Sequence, residues 1–133
     1  MNRTLKQIEK FHGHVGPYVV IGYKMGEIAN RILGKDSFSK KVTIWTGINP
    51  PISCIIDGIQ ISSGCTLGKG NITVYNDKIA KAEFVNNDGY KVNILLKPDI
   101  ICEIDEKVTD ENIIEFSEKI YNKKENELFE IVR

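Results

Sequence analysis

Apolar residues recur every three or four positions in residues 4–11 and again in residues 17–33. This spacing predicts two helices, the first of which Thr4 can cap. Gly22 and Gly26 share one face of the second helix, and each weakens a helix by about 1 kcal/mol relative to alanine. We therefore expect another element to pack very close to that face.

Residues 42–96 alternate branched apolar and polar side chains, which is typical of strands with one buried face. The strand that leads into Asn86-Asn87-Asp88-Gly89 and the one that follows form a predicted hairpin, because Asp-Gly is a strong turn signal. Residues 57–63 fit either a strand or one to two turns of helix capped by Asp57. The four predicted strands are Val42 to Thr46, Ile72 to Tyr75, Lys81 to Val85 and Lys91 to Leu96.

The C-terminal third returns to helical spacing. Thr109 is predicted to cap a helix that carries Ile113 and Ile120 inward, and Glu125 to Val132 is predicted to form a last helix. Helices, then several strands, then helices describe an α+β chain better than an alternating βαβ one. We predict a single domain over residues 1–133, with N-terminal helices packed on a mainly antiparallel sheet and C-terminal helices.

The composition narrows the classes of protein that need considering. The 133 residues are 27% charged with a formal net charge of zero, whereas nucleic-acid-binding domains carry a basic excess. No apolar run approaches the ~20 residues of a membrane span, and no secretory signal pattern is present. Three cysteines without CxxC spacing predict reduced thiols. We expect a cytoplasmic protein with no nucleic-acid or membrane partner.

Two glycine-rich segments concentrate the side chains that bind metals. Phe11-His12-Gly13-His14 holds both histidines, and Gly64-Cys65-Thr66-Leu67-Gly68-Lys69-Gly70-Asn71 holds one of the three cysteines. Imidazole and thiolate groups form the mixed set that suits zinc. The alternative is structural, with the histidines at a helix end or in solvent and the cysteines in the core. The candidate metal ligands are His12, His14, Cys54 and Cys65.

The second segment has some features of a phosphate loop. A Walker loop needs four residues between its first glycine and Gly-Lys, followed by Ser or Thr. Here three residues separate Gly64 from Gly68-Lys69 and Gly70 follows, so nucleotide hydrolysis is not predicted. Exposed amides and Lys69 can still hold a small anion, although a tight turn with Lys69 in solvent fits equally well.

Polar side chains in and before this loop are further candidates for a site. Asp57 and Gln60 stand at helical spacing and can bind a ligand or orient one, or can serve as a helix cap and a surface amide. Asn71 closes the loop and is a candidate for ligand binding. Cys65 is the candidate nucleophile, because a polar glycine loop can stabilise a thiolate.

The motifs together resemble one known family, the FmdE family of formylmethanofuran dehydrogenase components. The resemblance covers roughly residues 5–97, and its Gly-Cys-Thr-x-Gly-Lys-Gly-Asn string is highly specific. Only Cys102 follows the matched core, which indicates a short form without the C-terminal zinc ribbon. The residues that carry the resemblance are Phe11-His12-Gly13-His14, Gly22-Tyr23-Lys24-Met25-Gly26-Glu27, Cys54, Asp57-Gly58-Ile59-Gln60 and the Gly64 to Asn71 segment.

The resemblance implies an α+β core, a homodimer and a metal site made by His14, Cys54 and Cys65, with His12 as a further ligand. The implied ion is zinc or another divalent transition metal such as iron. The implied role is accessory or substrate-handling, beside oxidoreductase complex subunits in the one-carbon metabolism of methanogenesis.

One position departs from the family pattern. The family motif runs Phe-His-Gly-His-x-Cys-Pro-Gly, whereas this chain has Gly16 in place of the cysteine and Tyr18 in place of the last glycine. Three remaining ligands would leave an open coordination position. If they do not converge, the alternative is a metal-free module that binds a small anion or a partner through the Gly64 to Asn71 loop.

Overall fold

The computed structural model describes residues 1–133, which form six helices and five strands. No helix combines the length and the apolar character that crossing a membrane needs. The helices are α1 (Arg3–His12), α2 (Pro17–Leu33), α3 (Cys54–Ser63), α4 (Pro98–Lys107), α5 (Ile113–Asn122) and α6 (Glu125–Leu128). The strands are β1 (Lys40–Ile44), β2 (Ile72–Val74), β3 (Lys81–Asn86), β4 (Lys91–Leu96) and β5 (Phe129–Val132).

The strands form one sheet in the order β2-β1-β3-β4-β5. Only β1 and β2 run parallel, and the other three pairs are antiparallel. β3 and β4 form the predicted hairpin, in which Gly89 adopts a φ of 85°. The predicted α+β class with a mainly antiparallel sheet is confirmed.

Helix α2 lies at the centre of the molecule, because it contacts β3 and β4 of the sheet as well as α3 and α5. Alternate residues of the strands, such as Phe84 and Ile94, are buried and join apolar residues of α2 in one hydrophobic core. Apolar residues therefore occur around most of α2, as expected of a helix that is covered on several sides.

The close neighbour predicted from Gly22 and Gly26 is α3. A Cβ atom at Gly22 would overlap the carbonyl oxygen of Ile55, and one at Gly58 would overlap the carbonyl oxygen of Val19. The backbones of the two helices thus touch directly, which only glycine permits at these positions. This contact fixes the start of α3 relative to the start of α2.

Two helix starts differ from the sequence prediction. α1 is capped by Asn2 and not by Thr4, because the Asn2 side chain accepts a hydrogen bond from the Leu5 amide at 2.8 Å. α3 begins at Cys54, so the strand alternative for this segment is wrong. Asp57 lies inside the first turn of α3 and does not cap it.

The first strand begins earlier than predicted. β1 spans Lys40–Ile44, and each of its residues pairs with one of β3 from Asn86 to Ala82. Thr46, the predicted end of the strand, forms only an isolated bridge to Asn76. Pairing with β3 therefore sets the limits of this strand more closely than the alternation of side chains does.

The C-terminal prediction is wrong in two places and shifted in a third. The predicted helix from Glu125 to Val132 ends at Leu128, because the next four residues form β5 and pair with β4. Helix α4 was not predicted. α5 begins at Ile113, after a turn in which Thr109 and Asn112 exchange hydrogen bonds.

Candidate functional site

A cavity of about 230 Å³ lies where α1 ends and where α2 and α3 begin. His12, His14 and Gly16 line one side, and Cys54 lines it from the start of α3. Side chains of α4 and α5 close the remaining side, among them Asp105. The first glycine-rich segment and Cys54 therefore meet in space although they are distant in sequence.

Gly13 explains how two histidines so close in sequence reach the same cavity. It ends α1 with a φ of 96°, in the left-handed region that favours glycine, and its amide donates to the Glu9 carbonyl at 2.8 Å. The chain turns at this point, so His12 closes the helix and His14 follows the turn. Their ring centroids lie 4.8 Å apart.

His12 is held in place by Asp57. The His12 Nδ1 to Asp57 Oδ2 distance is 2.6 Å, and because an ionised carboxylate only accepts hydrogen bonds, Nδ1 carries the proton. The other ring nitrogen, Nε2, is buried and has no hydrogen-bond partner. Buried polar atoms are almost always paired, so an unpaired Nε2 with an available lone pair indicates a missing partner.

Cys54 lines the same cavity and is half-buried. Burial raises the pKa of its thiol, and the nearby Asp57 carboxylate raises it further. His12 and Cys54 also line a second, more open depression beside Ile48, which gives both side chains a second route to solvent.

The donors of this cavity are gathered but are not preassembled around an ion. No three His, Cys, Asp or Glu side chains are arranged to hold one metal. Only His12 has the geometry of a metal ligand, since its second nitrogen is fixed by a carboxylate. His14 and Cys54 border the same space and would have to turn toward His12 Nε2 to share an ion.

Cys65 does not reach this cavity. Cys54 begins α3 and Cys65 follows its end, and ten helical residues span roughly 14 Å at 1.5 Å per residue. Cys65 is fully buried, and its thiol lies 3.7 Å from the Lys40 carbonyl oxygen. Burial raises the pKa of this thiol, as in a packed core cysteine and unlike an activated nucleophile. The expectation that it shares an ion with Cys54 is therefore corrected by the length of the helix.

The side chains of the Gly64 to Asn71 loop bond to nearby backbone. Lys69 Nζ donates to the Gly64 carbonyl at 2.7 Å, and Asn71 accepts from the Thr66 amide at 2.9 Å. Neither side chain lines the cavity. Their contacts hold the end of α3 and the loop in one conformation.

Gln60 links the loop to the site. Its side-chain oxygen accepts from the Leu67 amide at 3.1 Å, while its nitrogen lies 3.5 Å from Asp57 Oδ1. Of the predicted ligand-binding residues, Asp57 therefore contacts a histidine of the cavity and Gln60 stands behind it.

Three cavity residues were not predicted from the sequence. Tyr18, Asp105 and Ile113 come from three different helices. Burial raises the pKa of Tyr18 to about 12, with a further contribution from Asp105. No spacing signal connects these residues, since only packing of α4 and α5 against the start of α2 brings them together.

Comparison with known proteins agrees with this arrangement. The family model described as FmdE, molybdenum formylmethanofuran dehydrogenase operon, matches residues 11–130. The chain belongs to the FmdE family. The FmdE match includes the histidine segment, the α2–α3 crossing and the helices that close the cavity.

Two similar proteins place this FmdE chain more closely. A probable S-adenosyl-L-methionine-binding protein from Archaeoglobus fulgidus is 34% identical over 79 residues, which are 58% of this chain and 21% of that protein. The chain thus matches only about a fifth of that curated relative. The crystal structure of an FmdE-like protein of tungsten formylmethanofuran dehydrogenase, from Syntrophus aciditrophicus, superposes with a TM-score of 0.71. The two share 20% identity over 97% of this chain and 68% of the other, which establishes a common fold.

Proposed function

We propose that this FmdE-family protein binds one divalent transition metal ion, zinc or iron, in the His12 cavity. One observation carries the proposal: His12 Nε2 is buried and unpaired while Nδ1 is held by Asp57 at 2.6 Å. A carboxylate that fixes one nitrogen of an imidazole leaves the other positioned to bind a metal. His12 is the anchoring ligand, and His14 and Cys54 complete the protein's donor set.

This donor set leaves room for chemistry. Three protein ligands are typical of a site with an open position, whereas structural zinc sites are closed by four. When bound, the ion supplies Lewis-acid polarisation of a small ligand. Asp57 keeps the imidazole in one tautomer, and the apolar residues of α4 and α5 shield the site from water.

The broader role is proposed from the family. The matching model is described by the molybdenum formylmethanofuran dehydrogenase operon, and the related structure is an FmdE-like protein of the tungsten enzyme. We infer an accessory or substrate-handling role beside such an enzyme, in a cytoplasmic homodimer that contacts subunits of that complex. The metal-binding cavity would be the part that handles the small molecule.

Metal uptake by paired cysteine variants tests the proposed site. The protein without a tag, purified without oxygen, is expected to take up one equivalent of zinc or iron, and Cys54→Ser is expected to weaken that uptake. Cys65→Ala is the matched control and should keep full uptake, because Cys65 lies beyond the far end of α3. Metal content after dialysis measures both. Less than a tenth of an equivalent in the unmodified protein after reconstitution would contradict the proposal.

Replacing Asp57 by asparagine tests how His12 is oriented. An amide of the same shape keeps the packing but no longer holds the Nδ1 proton as a carboxylate does, so the lone pair on Nε2 is no longer enforced. Loss of such an outer partner typically costs roughly 10- to 100-fold in metal affinity. Competition with a zinc chelator measures the loss. Affinity unchanged in Asp57→Asn would show that this contact is only structural.

A further inference from the structure

We propose that the corner of the cavity beside Gly16 is a subsite for a small aliphatic thiol, which binds the metal at the position that the protein leaves open. The inference rests on the proposed metal function and adds to it the class of ligand and the residue that admits it. It begins with the absence of a side chain at position 16.

The backbone does not require glycine at this position. Gly16 has a φ of −135° and a ψ of 167°, an extended conformation open to any residue and preferred before a proline such as Pro17. The reason for a glycine must therefore be space. A Cβ atom there would lie 3.2 Å from His14 Cε1 and 3.7 Å from Ile113 Cδ1, inside the cavity. Glycine thus keeps open the room next to the His14 ring.

The dimensions of this room select a small ligand. The cavity measures about 230 Å³, whereas pockets for drug-sized molecules measure roughly 300–1,000 Å³. Its walls include Pro17, Val19, Ile104, Val108 and Ile113, so the body of the ligand is apolar.

The charges of the cavity argue against an anionic ligand. Asp105 lines it, Asp57 stands behind His12, and no lysine or arginine is among its lining residues. A carboxylate or phosphate would meet negative groups there without a balancing side chain. The ligand that fits is neutral in solution and binds through one donor atom.

A thiol meets these requirements. Imidazole and thiolate donors from His12, His14 and Cys54 favour zinc or another metal that accepts sulfur. On binding, the sulfur of the thiol forms a bond to the ion, the S–H bond breaks and the proton passes to solvent, so the step needs no oxidant or reductant. The alkyl chain then lies in the space between Gly16 and Ile113.

The experiment uses cobalt(II) as the metal and ethanethiol as the probe. Cobalt(II) uptake is first measured by dialysis, and the thiol is then titrated while the sulfur-to-cobalt charge-transfer absorption is recorded. Gly16→Val fills the corner from one wall and Ile113→Phe fills it from the other without a new atom beside His14. Gly68→Val is the control, since Gly68 faces open space without a positive φ.

We expect saturable absorption in the unmodified protein and in Gly68→Val. In Gly16→Val and Ile113→Phe the thiol should bind roughly tenfold more weakly or worse, because overpacking of about 1–3 kcal/mol opposes it. Sodium acetate, tested as a competing anion, should not displace the thiol.

Cobalt uptake without any response to ethanethiol would overturn the subsite alone. So would equal thiol affinity in all four proteins, acetate binding as tight as thiol binding, or removal of cobalt by the thiol. Absence of cobalt uptake in the unmodified protein would overturn the metal function and the subsite with it.

Discussion

Replacing His12 by alanine is expected to abolish tight zinc binding. Its imidazole is the only donor in the cavity with both features of a metal ligand, a second nitrogen fixed by Asp57 and a buried, unpaired Nε2. Loss of a mere outer partner costs roughly 10- to 100-fold, so loss of the ligand itself should cost about 100-fold or more. Isothermal titration with zinc, checked by competition with a chelator, measures the change.

The neighbouring residue supplies the control for this variant. Phe11→Ala alters the same turn of α1, but Phe11 is 58% exposed and does not line the cavity. Its zinc affinity should match that of the unmodified protein. If His12→Ala were to bind zinc as tightly as Phe11→Ala, the unpaired nitrogen would have no role in metal binding. Far-ultraviolet circular dichroism of both variants distinguishes lost binding from lost folding.

Gly58→Ala is expected to destabilise the fold by about 3 kcal/mol or more, at the upper end of the cost of overpacking. The new methyl group would overlap the Val19 carbonyl oxygen, and this oxygen belongs to the backbone of α2, which cannot rotate away. The midpoint of thermal unfolding should fall by roughly 10 °C for a chain of this size. Urea unfolding gives the change in free energy directly.

The sign of the effect makes Gly58→Ala diagnostic. Alanine in a helix normally stabilises by about 1 kcal/mol relative to glycine, so propensity alone predicts a more stable protein. Gly68→Ala, at an exposed position with no atom within 4 Å, is the matched control and should change stability little. A Gly58→Ala protein as stable as the unmodified one would show that α2 and α3 do not touch through their backbones.

The α2–α3 contact also positions the proposed metal site. α3 carries Cys54 and Asp57 on its first turn, and α2 begins one residue after Gly16. Because the two helices are locked through Gly22 and Gly58, neither end of the cavity can shift without separating them. Gly58→Ala is therefore expected to reduce zinc uptake along with stability.

Local chemistry was enough to predict several elements of this fold. Pro17 and Gly34 limit α2, and the Asp88-Gly89 turn pairs β3 with β4, because each signal acts through the backbone of its own residues. The Gly22 and Gly26 pair also indicated a close neighbour. β5 could not be predicted in this way, because four residues with helical spacing became a strand by pairing with Leu96 and its neighbours in β4.

The candidate residues of the site were found in the sequence, but their grouping was not. Residue types and motifs were sufficient to select His12, His14 and Cys54, and to identify Gly16 as the departure from the family pattern. Only the tertiary structure separated Cys65 from them, because both cysteines belong to α3 or its end and a helix holds its ends apart. Packing likewise paired Asp57 with His12 and brought the cavity walls of α4 and α5 together. Such contacts join segments far apart in the chain, so no spacing within a single segment records them.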